Sequence, residues 1–159
     1  MYDKILVPLD GSEQAHTAFI HAIELAKKFN SEIEILHVIS FTEQFVAFTP
    51  YPSTGVDSES TVPVKWMEDY LSKVEENSQK MLEEATKLGL RLGPDVKILT
   101  KILRGSPGST IVSEAEDEKF NLIVLGSRGL GGLQDLLLGS VSNHVVNSAK
   151  IPVLVVRVK

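Results

Sequence analysis

"LGSRGLGGLQDLLLGSVSNHVV", residues Leu125 to Val146, holds five of the chain's 11 glycines. The stretch that leads into it, "FNLIVLG", ends at Gly126 and is apolar from Leu122 on, the pattern of a strand buried on both faces. The stretch that follows, Ser140 to Lys150, reads as a helix. A glycine-rich passage from buried strand to helix has two readings. One is a tight turn with Ser140 as a helix cap. The other is a cradle for a phosphate, in which glycine lets backbone N–H groups converge on an anion and the helix start adds partial positive charge. Spacing alone leaves both open.

Outward from this stretch the chain alternates strands and helices. "KILVPLD" is a short apolar run closed by Pro8, Asp10 and Gly11. Ala15, Ala18, Phe19, Ala22, Ala26 and Phe29 then recur at helical spacing. Asp10 or Ser12 is placed to cap that helix, and Asp10 with Glu13 has capping-box spacing. As a cap, Asp10 needs no ligand. "EIEILHVIS" is a second strand, rich in β-branched residues. Phe41 to Pro63 has three prolines and no period, and reads as a long loop inserted in the domain, mobile until a second subunit or a ligand orders it. Met67, Tyr70, Leu71, Val74, Met81, Leu82, Ala85 and Leu88 trace a long amphipathic helix that Gly89 is expected to stop. In "DVKILTKILR", Val96, Ile98, Thr100 and Ile102 share one face while Lys97 and Lys101 share the other, which suits an outer strand with one solvated side. Pro107 opens a further helix, and "IPVLVVRV" is a last strand. The order β-α-β-loop-α-β-α-β-α-β predicts an α/β fold: a single domain, residues 1–159, with an open parallel sheet and helices on both faces.

Ligands of such sheets bind beyond the carboxyl ends of the strands, where the topology reverses. Two strand ends carry permissive polar residues, "PLDGS" and "LGSRGLGG". If their strands are neighbours, the crevice lies between Asp10 and Gly126. Arg128 supplies charge there, and "LGSV" at Gly139 to Val141 supplies a helix start.

Composition narrows the rest. With 43% apolar and 23% charged residues, the chain is an ordinary globular one. It has no cysteine, which removes disulfides, thiolate metal sites and thiol nucleophiles and fits a reducing compartment. The net charge of −5 and the lack of a dense basic run argue against a nucleic-acid partner. "MYDKILVPLDGS" lacks the regions of a signal peptide, and no apolar run approaches the ~20 residues of a membrane span. A cytoplasmic protein without a membrane partner is expected. GxxxxGK[ST] and a strand-linked GxGxxG are both absent. His16, His21 and His144 fall on helices and read as surface residues. His37, in an apolar strand, reads as a hydrogen-bonded core histidine. No spacing among them suits zinc.

Gly126-x-x-Gly129, nine residues, then Gly139-Ser140 resembles the G-2x-G-9x-G-(S/T) signature of the universal stress protein family, in its ATP-binding branch. "ILVPLDGS" and "IPVLVV" are similar to that family's first and last strands, so the resemblance spans nearly the whole chain. It implies an adenine nucleotide α-hydrolase-like, five-stranded parallel sheet of order 3-2-1-4-5, with ATP and Mg2+ between strands one and four. Carried across, Pro8, Leu9 and Asp10 line the adenosine end, with Asp10 near the ribose or a water-linked metal. Val38 meets adenine through its backbone. Gly126, Ser127, Arg128 and Gly129 wrap ribose and phosphates, and Gly139, Ser140, Val141 and Ser142 hold the phosphates. Gly131 and Gly132 are extra glycines that loosen the loop, and with Gly126 and Gly129 they let backbone N–H groups converge on the same phosphate as cofactor-binding residues. The family also implies a homodimer through Val153 to Val158.

Phosphoryl transfer needs charge neutralisation and an aligned nucleophile. Arg128 is the one cation in the glycine loop, and Gln134 and Asp135 are the nearest groups to orient water. No catalytic residue is expected. The reading is an ATP-binding, nucleotide-dependent regulatory or stress-response protein acting through dimer or partner contacts. Its alternatives are a slow ATP hydrolase or phosphotransferase on the same pocket, and an interaction module without nucleotide.

Overall fold

The computed structural model describes residues 1–40, 64–129 and 138–158. Phe41–Pro63, Gly131 and Gly132 lie outside the described residues, and so does every expectation placed on them. The elements run β1 (Lys4–Pro8), α1 (Glu13–Phe29), β2 (Glu32–Ser40), α2 (Val64–Leu92), β3 (Ile98–Gly105), α3 (Pro107–Asp117), β4 (Leu122–Gly126), α4 (Ser140–Ser148) and β5 (Val153–Val156). All neighbouring strands are parallel, in the order β3-β2-β1-β4-β5, as the resemblance implied. β1 sits at the centre with β4 beside it, Ile5 opposite Leu122 and Leu6 opposite Ile123.

Alternation along the strands divides the core in two. Ile5, Val7, Ile33, Ile35 and Val124 pack under α1 and α2, against Phe19, Ile23, Leu82 and Ala85. Leu6, Leu36, Ile123 and Leu125 face the other way, onto Ile111 and Ala115 of α3 and Val145 of α4. Both faces of β1 and β4 are therefore dry, which is why their sequences are continuously apolar. Among the described residues no helix is long and apolar enough to cross a membrane.

Of the two candidate caps Ser12 takes the role, and three local expectations are corrected. Ser12 caps α1, its Oγ accepting from Ala15 N at 3.2 Å, while Asp10 Oδ1 accepts from Ser12 N at 3.0 Å. Glu13 is already the first helical residue, so its spacing from Asp10 makes no capping box. Phe29 leaves the buried stripe and sets its ring edge-on to Tyr2, centroids 5.4 Å apart. Gly89 does not stop α2. It is buried inside the helix, where a Cβ would collide with Ile98 Cδ1 and lie 2.9 Å from Phe19 Cζ, and the helix runs on to Leu92. The glycine is there for close packing of α2 on the sheet, and sequence spacing cannot tell that use from a stop signal.

The lysine face of β3 is also not simply solvated. Lys97 pairs with Glu32 at 2.6 Å, and α3 covers Lys101, whose Nζ lies 2.6 Å from Glu114 Oε1 and 3.7 Å from Glu118 Oε1. Glu34 of β2 shares this pocket. Its Oε1 is buried and has no partner among the described residues. Burial, and then the adjacent Glu114 carboxylate, push the Glu34 pKa upward against the pull of Lys101 and Lys4. The bond to Glu114 raises the pKa of Lys101.

Candidate functional site

The loops after β1 and β4 meet at the carboxyl edge of the sheet. Asp10 Oδ1 is tied to Ser12 N, and Oδ2 lies so close to Gly129 that a Cβ there would strike it. The β4 loop is pinned at three points. Ser127 N donates to Val156 O at 2.8 Å, Gly139 N donates to Ser127 O at 2.8 Å, and Ser142 Oγ lies 2.9 Å from Gly126 O and 3.0 Å from Ser127 O. Ser142 is 3% exposed and has one hydroxyl proton for two carbonyls, so it fastens the start of α4 to the end of β4.

The three signature glycines serve different needs. At Gly126 a Cβ would come within 2.7 Å of the Gln14 carbonyl carbon and 2.9 Å of Ala15 N, so this glycine lets β4 press on the backbone of α1. At Gly129 the obstacle is the Asp10 carboxylate. Gly139 has the weakest packing reason: φ is −70° and ψ 167°, open to any residue, and the nearest atom to a Cβ is Arg128 Cα at 3.3 Å. The two readings of the stretch are thus both represented, a packing turn at Gly126 and open backbone at Gly139.

Beyond Gly139 the N–H groups of Ser140, Val141 and Ser142 precede the first backbone bond of α4, Asn143 N to Gly139 O at 2.9 Å. Among the described residues they have no backbone partner, as expected of the first donors of a helix. The half-buried Arg128 stands beside them. Ser140 is exposed, whereas the half-buried Val141 turns its side chain to the core.

At the other end, Pro8 closes β1 half-buried, and the Leu9 side chain is in the core at 2% exposure, leaving its backbone and the exposed Asp10 for the crevice. Val38 lies across from them on β2. Glu32 N bonds Asp3 O and Leu36 O accepts from Leu9 N, whereas Ile33 N bonds Lys97 O. The even residues of β2 therefore turn their backbone groups to β1. Val38 is the next even residue, one step past the end of β1, so its N–H and C=O face the gap. The structure thus brings Asp10, Val38, Arg128, Gly129, Gly139 and Ser140 to one edge of the sheet. Sequence reasoning missed that the His37 ring takes part: its Nδ1 lies 2.8 Å from Leu9 O. The available signal was a polar ring in an apolar strand, one residue before Val38. His37 is the hydrogen-bonded histidine expected.

Among the described residues no group of three acidic or histidine side chains is arranged to hold a metal. Among the described residues, Asp10 is the carboxylate placed at the crevice, which suits an ion held mainly by phosphate oxygens and water.

The model of the universal stress protein family matches residues 1–157, and the chain belongs to that family. It is 36% identical over 158 residues to universal stress protein MJ0531 of Methanocaldococcus jannaschii, covering 99% of this chain and 83% of that one. The solved structure of MJ0577, from the same organism, superposes with a TM-score of 0.78 at 32% identity, covering 100% of this chain and 98% of that one. At 22% and 20% identity, which speaks for the fold alone, lie a universal stress protein solved in complex with cAMP (TM-score 0.65, coverage 98% and 97%) and one from Archaeoglobus fulgidus in complex with dAMP (TM-score 0.64, coverage 98% of each chain).

Proposed function

We propose that the protein binds ATP, or another adenine nucleotide, with Mg2+ in the crevice between β1 and β4. It acts in the cytoplasm as a regulatory stress-response protein without consuming the nucleotide quickly. The observation that carries this reading is the start of α4. Gly139 folds back on Ser127, the N–H groups of Ser140, Val141 and Ser142 open beside Arg128, and among the described residues the packing at 139 is looser than at Gly126 or Gly129. Asp10 and the Val38 backbone supply the ribose and base end. Ser142 contributes its N–H, while its hydroxyl holds the loop. Two proteins of the same fold hold adenine nucleotides.

Saturating Mg-ATP is expected to raise the melting temperature. Ligand at about 100 times its dissociation constant adds roughly 2.7 kcal/mol, and each kcal/mol is worth about 2–4 °C for a domain of this size, so the rise is about 5–10 °C. Gly139→Val removes the rise, because the branched side chain drives into the Arg128 backbone. The backbone angles at 139 accept valine, so the variant itself stays folded. The surface control Lys27→Ala keeps the rise, and GTP gives a smaller one. Protein stripped of co-purified nucleotide that shows no shift with Mg-ATP would falsify the reading. Rapid release of ADP would instead make the protein a hydrolase.

The same reading includes a homodimer through Val153–Val158. β5 bonds to β4 on one side only among the described residues, and Leu154 is 38% exposed beside a depression lined by His21, Leu25 and Lys28. Leu154→Lys is expected to shift the protein to monomer in light scattering. It is a cleaner change than Val155→Lys, since Val155 packs on the core. A wild type that is monomeric at high concentration rules the dimer out.

A further inference from the structure

We infer that His37 is a positioning residue for the base end of the site: by drawing the Leu9 carbonyl to its Nδ1–H, it keeps Val38 from closing the next rung of the β1–β2 ladder and leaves the Val38 N–H and C=O as a donor–acceptor pair for adenine. This rests on the nucleotide reading above and deepens it to a rule of base choice.

The register of β1 and β2 leads from Leu9 N to Leu36 O, and the next bond in sequence would be Val38 N to Leu9 O. Among the described residues that bond is not made. The Leu9 carbonyl is instead 2.8 Å from His37 Nδ1. A carbonyl only accepts, so Nδ1 carries the proton. His37 has the parity of Ile33 and Ile35, whose side chains lie under α1 and α2. A carbonyl drawn to that face leaves the sheet plane, where the Val38 N–H lies. Glycine at 11, with φ +84°, lets the chain lift off the sheet just beyond. What remains at Val38 is one donor and one acceptor facing the gap. Adenine offers an amino donor and a ring-nitrogen acceptor side by side. Guanine presents the reverse, a carbonyl and an N–H, and would leave buried groups unpaired.

The test compares binding of ATP, GTP and inorganic tripolyphosphate by nucleotide-free wild type, His37→Leu and His37→Asn, all with Mg2+. Wild type is expected to prefer ATP over GTP. His37→Leu loses about tenfold in ATP affinity, the worth of one hydrogen bond, and its ATP preference collapses, while its tripolyphosphate affinity is unchanged. His37→Asn, whose amide can place a donor near the same point, restores the preference. A purely structural role would weaken all three ligands together, and that outcome overturns the inference, as does an unchanged ATP-to-GTP ratio in His37→Leu. A second measurement needs no variant. The Val38 amide should exchange with solvent quickly in nucleotide-free wild type, and be protected by ATP but not by tripolyphosphate. Protection without nucleotide overturns the inference. Wild type that binds tripolyphosphate but shows no base preference overturns it while leaving the phosphate cradle standing, and wild type that binds none of the three overturns the nucleotide reading with it.

Discussion

Gly126→Val is expected to cost about 3 kcal/mol, the upper end for overpacking a core, and to lower the melting temperature by roughly 6–12 °C. The size follows from what the new atoms meet. A Cβ at 126 falls within 2.9 Å of three atoms of Gln14 and Ala15, two of them backbone. A flexible side chain could move aside, but α1 cannot, because Ala15, Ala18, Phe19 and Ala22 hold it to the sheet. Relief requires separating β4 from α1, which would strip cover from Val124. Among the described residues Gly129→Val meets the Asp10 carboxylate alone, and it should leave stability nearly intact while disturbing the crevice. Thermal melts of the two variants side by side check the distinction. Equal melting temperatures would show that α1 yields.

Lys101→Met is expected to destabilise the protein at pH 8 by about 2 kcal/mol. Breaking a fully buried ion pair costs ~3–5 kcal/mol, and the 35% exposure of Lys101 calls for a discount. The loss falls on Glu114, which is 8% exposed, and on Glu34, whose buried Oε1 already lacks a partner. The pH dependence has a definite sign. The folded-state pKa of Glu34 is raised, so the native state holds its proton more tightly than the unfolded chain does. The associated stability is present below the ordinary glutamate range and is lost as pH rises through the raised value. Lys101→Met removes the cation that opposes this shift, so its deficit should shrink as pH falls toward 5. Glu34→Gln acts oppositely, as a neutral isostere: it should match wild type near pH 4.5 and melt above it at pH 8. Melting curves across this range decide the matter, and a pH-independent deficit in Lys101→Met would show that only packing was lost.

The fold was legible because its two central strands announce themselves. "ILVPL" and "LIVLG" are apolar on every residue, and only a sheet covered on both faces buries such strands. The alternation in "DVKILTKILR" marks an edge strand and an exposed Lys97, but it does not show that α3 brings Glu114 and Glu118 to Lys101. Gly89 misled for a related reason: a close approach between α2 and Phe19 depends on a contact 70 residues distant in sequence. In the crevice, the expectation that the strands before "PLDGS" and "LGSRGLGG" are neighbours is met, since β1 pairs with β4. The inward role of Ser142 and the bond from His37 to Leu9 were not legible, since each joins segments that sequence spacing does not relate.

The contact between Gly126 and α1 bears on how lineages drift. That glycine serves the sheet whether or not anything is ever bound. A descendant without a ligand would be free to exchange the exposed Ser140, yet would still need glycine at 126 for the sake of Gln14 and Ala15. The three glycines of one signature are thus unequal witnesses: the one nearest the sheet records ancestry, and the one at the helix would, on the nucleotide reading, record use.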